Sequence, residues 1–208
     1  DMRGPLLSIL GAIEAAQHME NIDEIRKMLL MMKESVKNLD NFIKSIHDYY
    51  NLNRGDLEIE EVDFNQIVEE QTEIFNFTYL VSDVNFTTNI VQREVFRGDV
   101  LSVKLILNNL LSNAFKYQRK DNKDKRVDLN ILVENGKAEI EIKDNGVGID
   151  HKYIDDIFNM FFRANSQEAG SGFGLYNVKA AVSKLNGKIT VDSEINKGTC
   201  FKVTIQNK

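Results

Sequence analysis

Lys143-Asp144-Asn145-Gly146-Val147-Gly148-Ile149-Asp150 is the stretch from which the rest of the chain can be read. The apolar, β-rich run from Ala138 to Ile142 delivers it, so Asp144 stands where a strand ends. A carboxylate there can accept a hydrogen bond from an exocyclic amine such as that of adenine. Gly146 and Gly148 carry no Cβ, which lets the backbone come close to a ligand. Asp-Asn-Gly is also ordinary turn chemistry, so this stretch by itself leaves a plain turn open.

Upstream lies Asn109-Leu110-Leu111-Ser112-Asn113-Ala114-Phe115-Lys116-Tyr117, in which Asn109, Asn113 and Lys116 are spaced i, i+4, i+7 and share one helical face. Two amide oxygens one turn apart can share a hard cation such as Mg2+, which takes few protein ligands and leaves the rest to water and phosphate. Lys116 then offers a point charge to phosphate oxygens. The alternative is a solvated polar face; against it stands the poor helix propensity of asparagine, used twice in an otherwise apolar helix. Downstream, Gly170-Ser171-Gly172-Phe173-Gly174-Leu175 leads into a helix whose N-terminus suits an anion. No Gly-x-x-x-x-Gly-Lys occurs, so this is not a P-loop.

In this order the three stretches resemble the N, G1 and G2 boxes of the histidine-kinase ATP-binding domain. That domain belongs to the superfamily shared with type II topoisomerases, mismatch-repair ATPases and a heat-shock chaperone. Ile157-Phe158-Asn159-Met160-Phe161-Phe162-Arg163 looks like the F box, and Gly198-Thr199 like the closing glycine motif; together they cover residues 55 to 208. The resemblance implies ATP and Mg2+. It makes Asn113 the principal Mg2+ ligand with Asn109 assisting, puts Lys116 on phosphate and sets Tyr117 at the adenine pocket, where plain core is the other reading. It puts Asp144 on the adenine amine, Gly146 and Gly148 at the pocket floor, Ile149 in the pocket and Thr199 near the base. Arg163 would reach the γ-phosphate. Gly170, Gly172, Gly174 and Leu175 would form the hinge and the phosphate-facing turn, and Asn165 to Ser171 a short polar lid.

The N-terminal part reads as two helices. Leu6, Leu7, Ile9, Leu10, Ile13 and Ala16 give the first an apolar face, and Asn21 or Asp23 caps the second. In the second, Ile25, Leu29, Met32, Val36, Leu39, Ile43, Ile46 and Tyr50 alternate spacings of four and three, a sustained heptad. Two helices bury such a seam poorly, whereas pairing with a second copy makes a four-helix bundle. Asp1-Met2-Arg3-Gly4-Pro5-Leu6 resembles the H box of the kinase dimerisation and phosphotransfer domain, and Pro5 is the one proline of the chain. The matching phosphoacceptor histidine would be the residue before Asp1, and Asp1 would orient it or accept its proton. Gly4 stands where relatives with phosphatase activity carry Thr or Asn. His18, His47 and His151 lack the following proline and read as surface histidines; His47-Asp48 copies the acceptor dipeptide only superficially.

Bulk properties agree. With 42% hydrophobic and 28% charged residues the chain is of globular, soluble type. A net charge of −6 without a basic stripe disfavours a nucleic-acid partner. The single cysteine, Cys200, excludes an internal disulfide and fits a reducing compartment, buried and inert in a strand. No run is long and apolar enough to span a bilayer. The chain starts without Met, which suits a piece of a longer protein and is compatible with a membrane-tethered parent.

The expected organisation is α+β. Residues 1–53 form a helical hairpin that dimerises as a four-helix bundle; residues 54–208 form an α/β sandwich, a mixed sheet covered on one face by helices, of Bergerat type. A polar break falls at Asn51 to Asp56. Short strands run over Leu57–Val62, Val84–Val91 and Val95–Arg97. A long helix starts at Asp99 with Leu101, Leu105, Leu107, Leu111 and Ala114 inward, and a short helix falls near Tyr153 to Phe158. The implied function is a cytoplasmic protein-histidine kinase core with Asp1, Lys116 and Arg163 as its catalytic residues, a second copy as partner and the receiver domain of a response regulator as acceptor. Two rivals stay open: a non-catalytic ATP-binding dimerisation scaffold, and an ATPase of the same superfamily.

Overall fold

The computed structural model describes residues 3–54, 57–79, 83–164 and 172–208. It opens with the expected hairpin, α1 (Arg3–Gln17) and α2 (Ile22–Arg54). Asn21 is the cap: its side-chain oxygen accepts from the Asp23 N–H at 2.9 Å and its carbonyl from the Ile25 N–H at 3.0 Å. The two helices pack on each other; Ala12 is buried, and Ile9 and Ala16 of α1 and Ile25, Met32 and Leu39 of α2 are half-buried. No polar break follows at Asn51, because α2 continues to Arg54, with Leu52 held against the next layer. Gly55 and Asp56 lie outside the described residues.

The remaining chain runs β1 (Ile59–Glu61), α3 (Phe64–Tyr79), β2 (Val84–Gln92), β3 (Arg97–Asp99), α4 (Val100–Lys116), β4 (Lys125–Glu134), β5 (Lys137–Asp144), α5 (Gly174–Lys184), β6 (Lys188–Glu194) and β7 (Gly198–Gln206). Five strands form one mixed sheet in the order β2-β4-β5-β7-β6. β2 runs parallel to β4, and every other neighbour is antiparallel. β1 and β3 make a separate two-stranded ribbon. The β4–β5 hairpin turns at Asn135 (φ 56) and Gly136 (φ 74), the pair of positive φ values a tight hairpin demands.

Alternation along β4 buries Val127, Leu129, Ile131 and Val133 on one face, where α3, α4 and α5 lie. α4 is the central helix. Asp99 caps it by accepting from the Ser102 N–H at 2.9 Å, and Val103, Ile106, Leu107, Leu110 and Leu111 are all sealed from water. Each such side chain contributes about 1.5–3 kcal/mol on burial. Leu101 does not point inward as expected; it is 68% exposed, and Val103 and Ile106 cover the sheet instead. The third short strand also falls later than expected, at Arg97–Asp99, with Val95 exposed. Phe96 is the reason: fully buried against Phe64, it fixes the bend while its carbonyl accepts from the Val62 N–H at 2.8 Å. The helix expected near Tyr153 shrinks to a single 3-10 turn, His151–Tyr153, capped by Asp150 and followed by turns.

The second half of α2 lies against α5. Asn177 Nδ2 donates to the Ser45 carbonyl at 3.0 Å and Lys184 Nζ to the Leu52 carbonyl at 2.9 Å. Phe42 packs edge-on against Phe173 at 5.5 Å and parallel to Phe161 at 6.5 Å. The hairpin thereby touches Phe161 and Phe173, which lie before and after residues 165–171 in the sequence.

Candidate nucleotide-binding site

The end of β5 is built around Asp144. Its Oδ1 accepts from the Gly146 N–H at 2.8 Å and the Thr199 N–H at 3.3 Å. Both donors address one oxygen, which leaves Oδ2 to a ligand. Burial pushes the carboxyl up to about 6, and the two backbone donors pull only weakly the other way. Gly146 is buried under the end of α4, where a Cβ would stand 2.3 Å from the Tyr117 carbonyl oxygen. Gly148, at φ +68, would put a Cβ 2.0 Å from the carbonyl of Glu194. Only glycine fits either position.

Neighbouring segments brace this turn. The Val147 N–H donates to the Tyr117 carbonyl at 2.9 Å, and the Asn196 N–H donates to the Val147 carbonyl at 2.8 Å. The Ile149 N–H donates to Ser193 Oγ at 2.8 Å; that hydroxyl also lies 2.9 Å from Thr199 Oγ1. Ser193 was not singled out by sequence, since nothing local distinguishes a serine in an alternating strand. Asn145 faces away from the site, fixing the start of β4 through Arg126 and Asp124.

On α4, Asn109 and Asn113 lie half-buried one turn apart, as their spacing requires. Asn109 Nδ2 donates back to the Leu105 carbonyl at 2.9 Å, and its oxygen would be 2.8 Å from a Cβ on Gly174. The first turn of α5 therefore abuts the asparagine face. No side chain caps that helix at Phe173. Lys116 Nζ lies 3.0 Å from the Tyr117 hydroxyl and 4.6 Å over its ring. Asp144, Gly146, Gly148, Ile149, Thr199 and Tyr117 thus form one corner; Asn109, Gly174 and Leu175 form another, with Asn113 and Lys116 along α4. Gly172, at φ +72, packs on Phe161. Arg163 is exposed beside segment 165–171. Asp1, Gly170 and the expected lid lie outside the described residues. The three histidines are all exposed, and burial pushes the Cys200 thiol up, as suits an unreactive cysteine.

Residues 98–208 match the family of histidine kinase-, DNA gyrase B- and HSP90-like ATPases. The chain belongs to this family. Its ATP-binding domain is of the histidine-kinase kind. The chain is 26% identical to the sensor histidine kinase RppB of Synechocystis over 99% of its own length and 46% of that protein's. It thus spans less than half of this curated relative. Among solved structures, histidine kinase ThkA in complex with response regulator TrrA superposes with a TM-score of 0.75 over all of this chain and 59% of that one, at 18% identity. Full-length ShkA in complex with AMPPNP gives 0.71 over 99% of this chain and 44% of that one, also at 18%. At that identity these two show the shared fold. The resemblance read from the boxes and the Bergerat-type α+β architecture both hold.

The acid shift of Asp144 has two consequences of opposite sign. Its folded pKa exceeds the ordinary 3.8, so its stabilising contribution is complete below that value and disappears as pH rises through about 6. An adenine amine donating to Asp144 would be held best by the ionised form. ATP affinity is therefore expected to fall about tenfold between about pH 8 and about pH 5, as the competent fraction of Asp144 falls. Calorimetric titration across that range, with Asp144→Asn giving a flat profile, checks it.

Proposed function

We propose that this chain is the dimerising and ATP-binding core of a protein-histidine kinase of a two-component system. It would pass phosphate from ATP to a histidine preceding Asp1, and from there to an aspartate of a response regulator's receiver domain. The observation that carries the reading is the braced carboxylate of Asp144, set in a glycine cradle beside the asparagine face of α4. The glycines let the backbone at Tyr117 and Glu194 close directly onto the turn, which fixes Asp144 so that its Oδ2 would be available to the amine of a base. Asn113, with Asn109, would hold Mg2+ through amide oxygens, a donor set suited to a hard cation that keeps several waters. Lys116 and Arg163 would spread charge on the phosphates, and the uncapped start of α5 adds backbone N–H groups. ATP supplies the transferable phosphoryl group. Asp1 would take the imidazole proton. Residues 1–53 and 54–208 would then be the phosphotransfer hairpin and the catalytic domain, at work inside the cell.

The α2–α5 contact supports a hairpin that senses the nucleotide. Phe42 bridges Phe161 and Phe173, so a shift of either ring would reach α2. The contact is also incompletely satisfied: Asn177 Oδ1 is buried without a partner. An unpaired buried acceptor costs about 1–3 kcal/mol, which favours release.

Radiolabelled ATP tests the reading. The chain from Asp1 should bind Mg2+ and ATP yet take up no acid-labile phosphate. A chain extended by several helical turns with histidine before Asp1 should label, and changing that histidine to glutamine should abolish labelling. His47→Gln should leave it intact. Labelling of the chain from Asp1 on His47 would overturn the assignment of the phosphoacceptor.

A further inference from the structure

The sheet has two outer strands, and they are unlike. β6 carries Lys188, Asp192 and Glu194 within seven residues, the usual charged protection of an edge. β2 is nine residues long, Val-Asn-Phe-Thr-Thr-Asn-Ile-Val-Gln, with no charge, proline or glycine. It pairs with β4 in unbroken register from Val84 to Gln92, without a bulge to twist it away. No described strand borders its outer side. A long, regular, uncharged edge presents unpaired N–H and C=O groups as a template for another strand.

The sequence of β2 says which strand. We infer that β2 is a docking edge for a second copy of this chain, pairing antiparallel with that copy's β2 about a two-fold axis at Thr88. In that register Phe86 lies opposite Ile90, both on the helix-covered face and both already half-buried. Thr87 lies opposite Asn89, and Asn85 opposite Val91, on the other face. Just beyond the strand, Asp83 meets Arg93 at each end, so opposite charges close the pair twice. Arg93 already reaches Glu134 at 2.6 Å, but its side chain is largely exposed and a guanidinium has further donors. Shifting the axis by one residue to Thr87 or Asn89 keeps the strand faces matched but moves Asp83 away from Arg93. A shift to an odd register sets apolar residues against the polar face. Only the Thr88 register satisfies both faces and both ends. The product is one continuous sheet through two domains, independent of the helical hairpin.

Disulfide trapping in the full chain tests this, with Cys200→Ser removing the native thiol. Facing residues of antiparallel strands have Cα atoms about 4.5–5.5 Å apart, within disulfide range. Thr88→Cys chains should therefore cross-link to one another at least about tenfold faster than Asn85→Cys or Val91→Cys chains alone, whose equivalent cysteines would lie about 20 Å apart along the strands. Mixing Asn85→Cys with Val91→Cys chains should produce the linked pair that neither gives alone. Thr88 is exposed, so its substitution leaves the core untouched. Equal rates for all three single variants, or no linked product from the mixture, would overturn the proposal. A third result, slow linking of Thr88→Cys with capture of an unrelated extended peptide on β2, would assign the edge to a different partner and overturn it equally.

Discussion

Asp144→Asn is expected to raise the Kd for ATP about a hundredfold while raising the melting temperature of the ligand-free chain. The two effects have one source. In the free protein the carboxylate is held in a desolvated corner, and its acid strength is weakened to about 6. At neutral pH it is ionised at a cost to folding, which a neutral amide of the same shape removes. The amide oxygen can keep the Gly146 and Thr199 N–H bonds, so the turn is retained. The –NH2 group then occupies the place of Oδ2 and meets the adenine amine donor to donor. A hydrogen bond to a charged group contributes about 1.5–3 kcal/mol, and replacing it by a donor clash puts the loss at the upper end. Calorimetry and thermal melts on the same sample separate the effects. Unchanged affinity would remove Asp144 from the site; a lower melting temperature would mean the carboxylate is a structural acceptor that the amide cannot replace.

The parts of this site that were legible in the sequence are those whose chemistry is local. Asp144 at a strand end, glycines at positions where a Cβ meets a carbonyl, and asparagines one turn apart all leave a trace within eight residues. The Asn21 cap and the helix start at Asp99 are local in the same way. What escaped is carried by backbone or by distant partners. The Tyr117 carbonyl anchors the glycine turn, but any residue has a carbonyl. Ser193 reaches Ile149 across 44 positions, and Asn177 reaches Ser45 across 132. Hydrophobic periodicity identified β2 as a strand, yet its parallel pairing with β4 and its place at the edge are topological. Leu101 was misread because α4 is apolar on more than one face near its start, so periodicity could not say which leucine faces the sheet.

That same ambiguity, resolved by the structure, sharpens the expected effect on assembly. The heptad of α2 splits into two lines. Ile25, Met32 and Leu39 are half-buried, and Ile46 on the same line is 38% exposed. Ile22, Leu29, Val36, Ile43 and Tyr50 repeat every seventh residue and remain 47–65% exposed. Leu6, Leu10 and Ile13 of α1 are exposed as well. One helical pair thus has an apolar line spent within the hairpin and another left over, the pattern expected if a second hairpin covers it. Charging Val36 and Ile43 together, as Val36→Lys with Ile43→Lys, should turn a dimer into a folded monomer. Each lysine would be desolvated in the bundle at a cost of several kcal/mol, with like charges near the axis, whereas in the monomer both sit in water. Leu39→Lys should behave differently and unfold the hairpin, because Leu39 is already half-buried within the chain. Light scattering with circular dichroism distinguishes them, run in the Thr88→Lys background so that edge pairing of β2 cannot hold chains together. A wild-type seam that is monomeric there at high micromolar concentration, or a doubly charged seam that stays dimeric, would rule out the bundle.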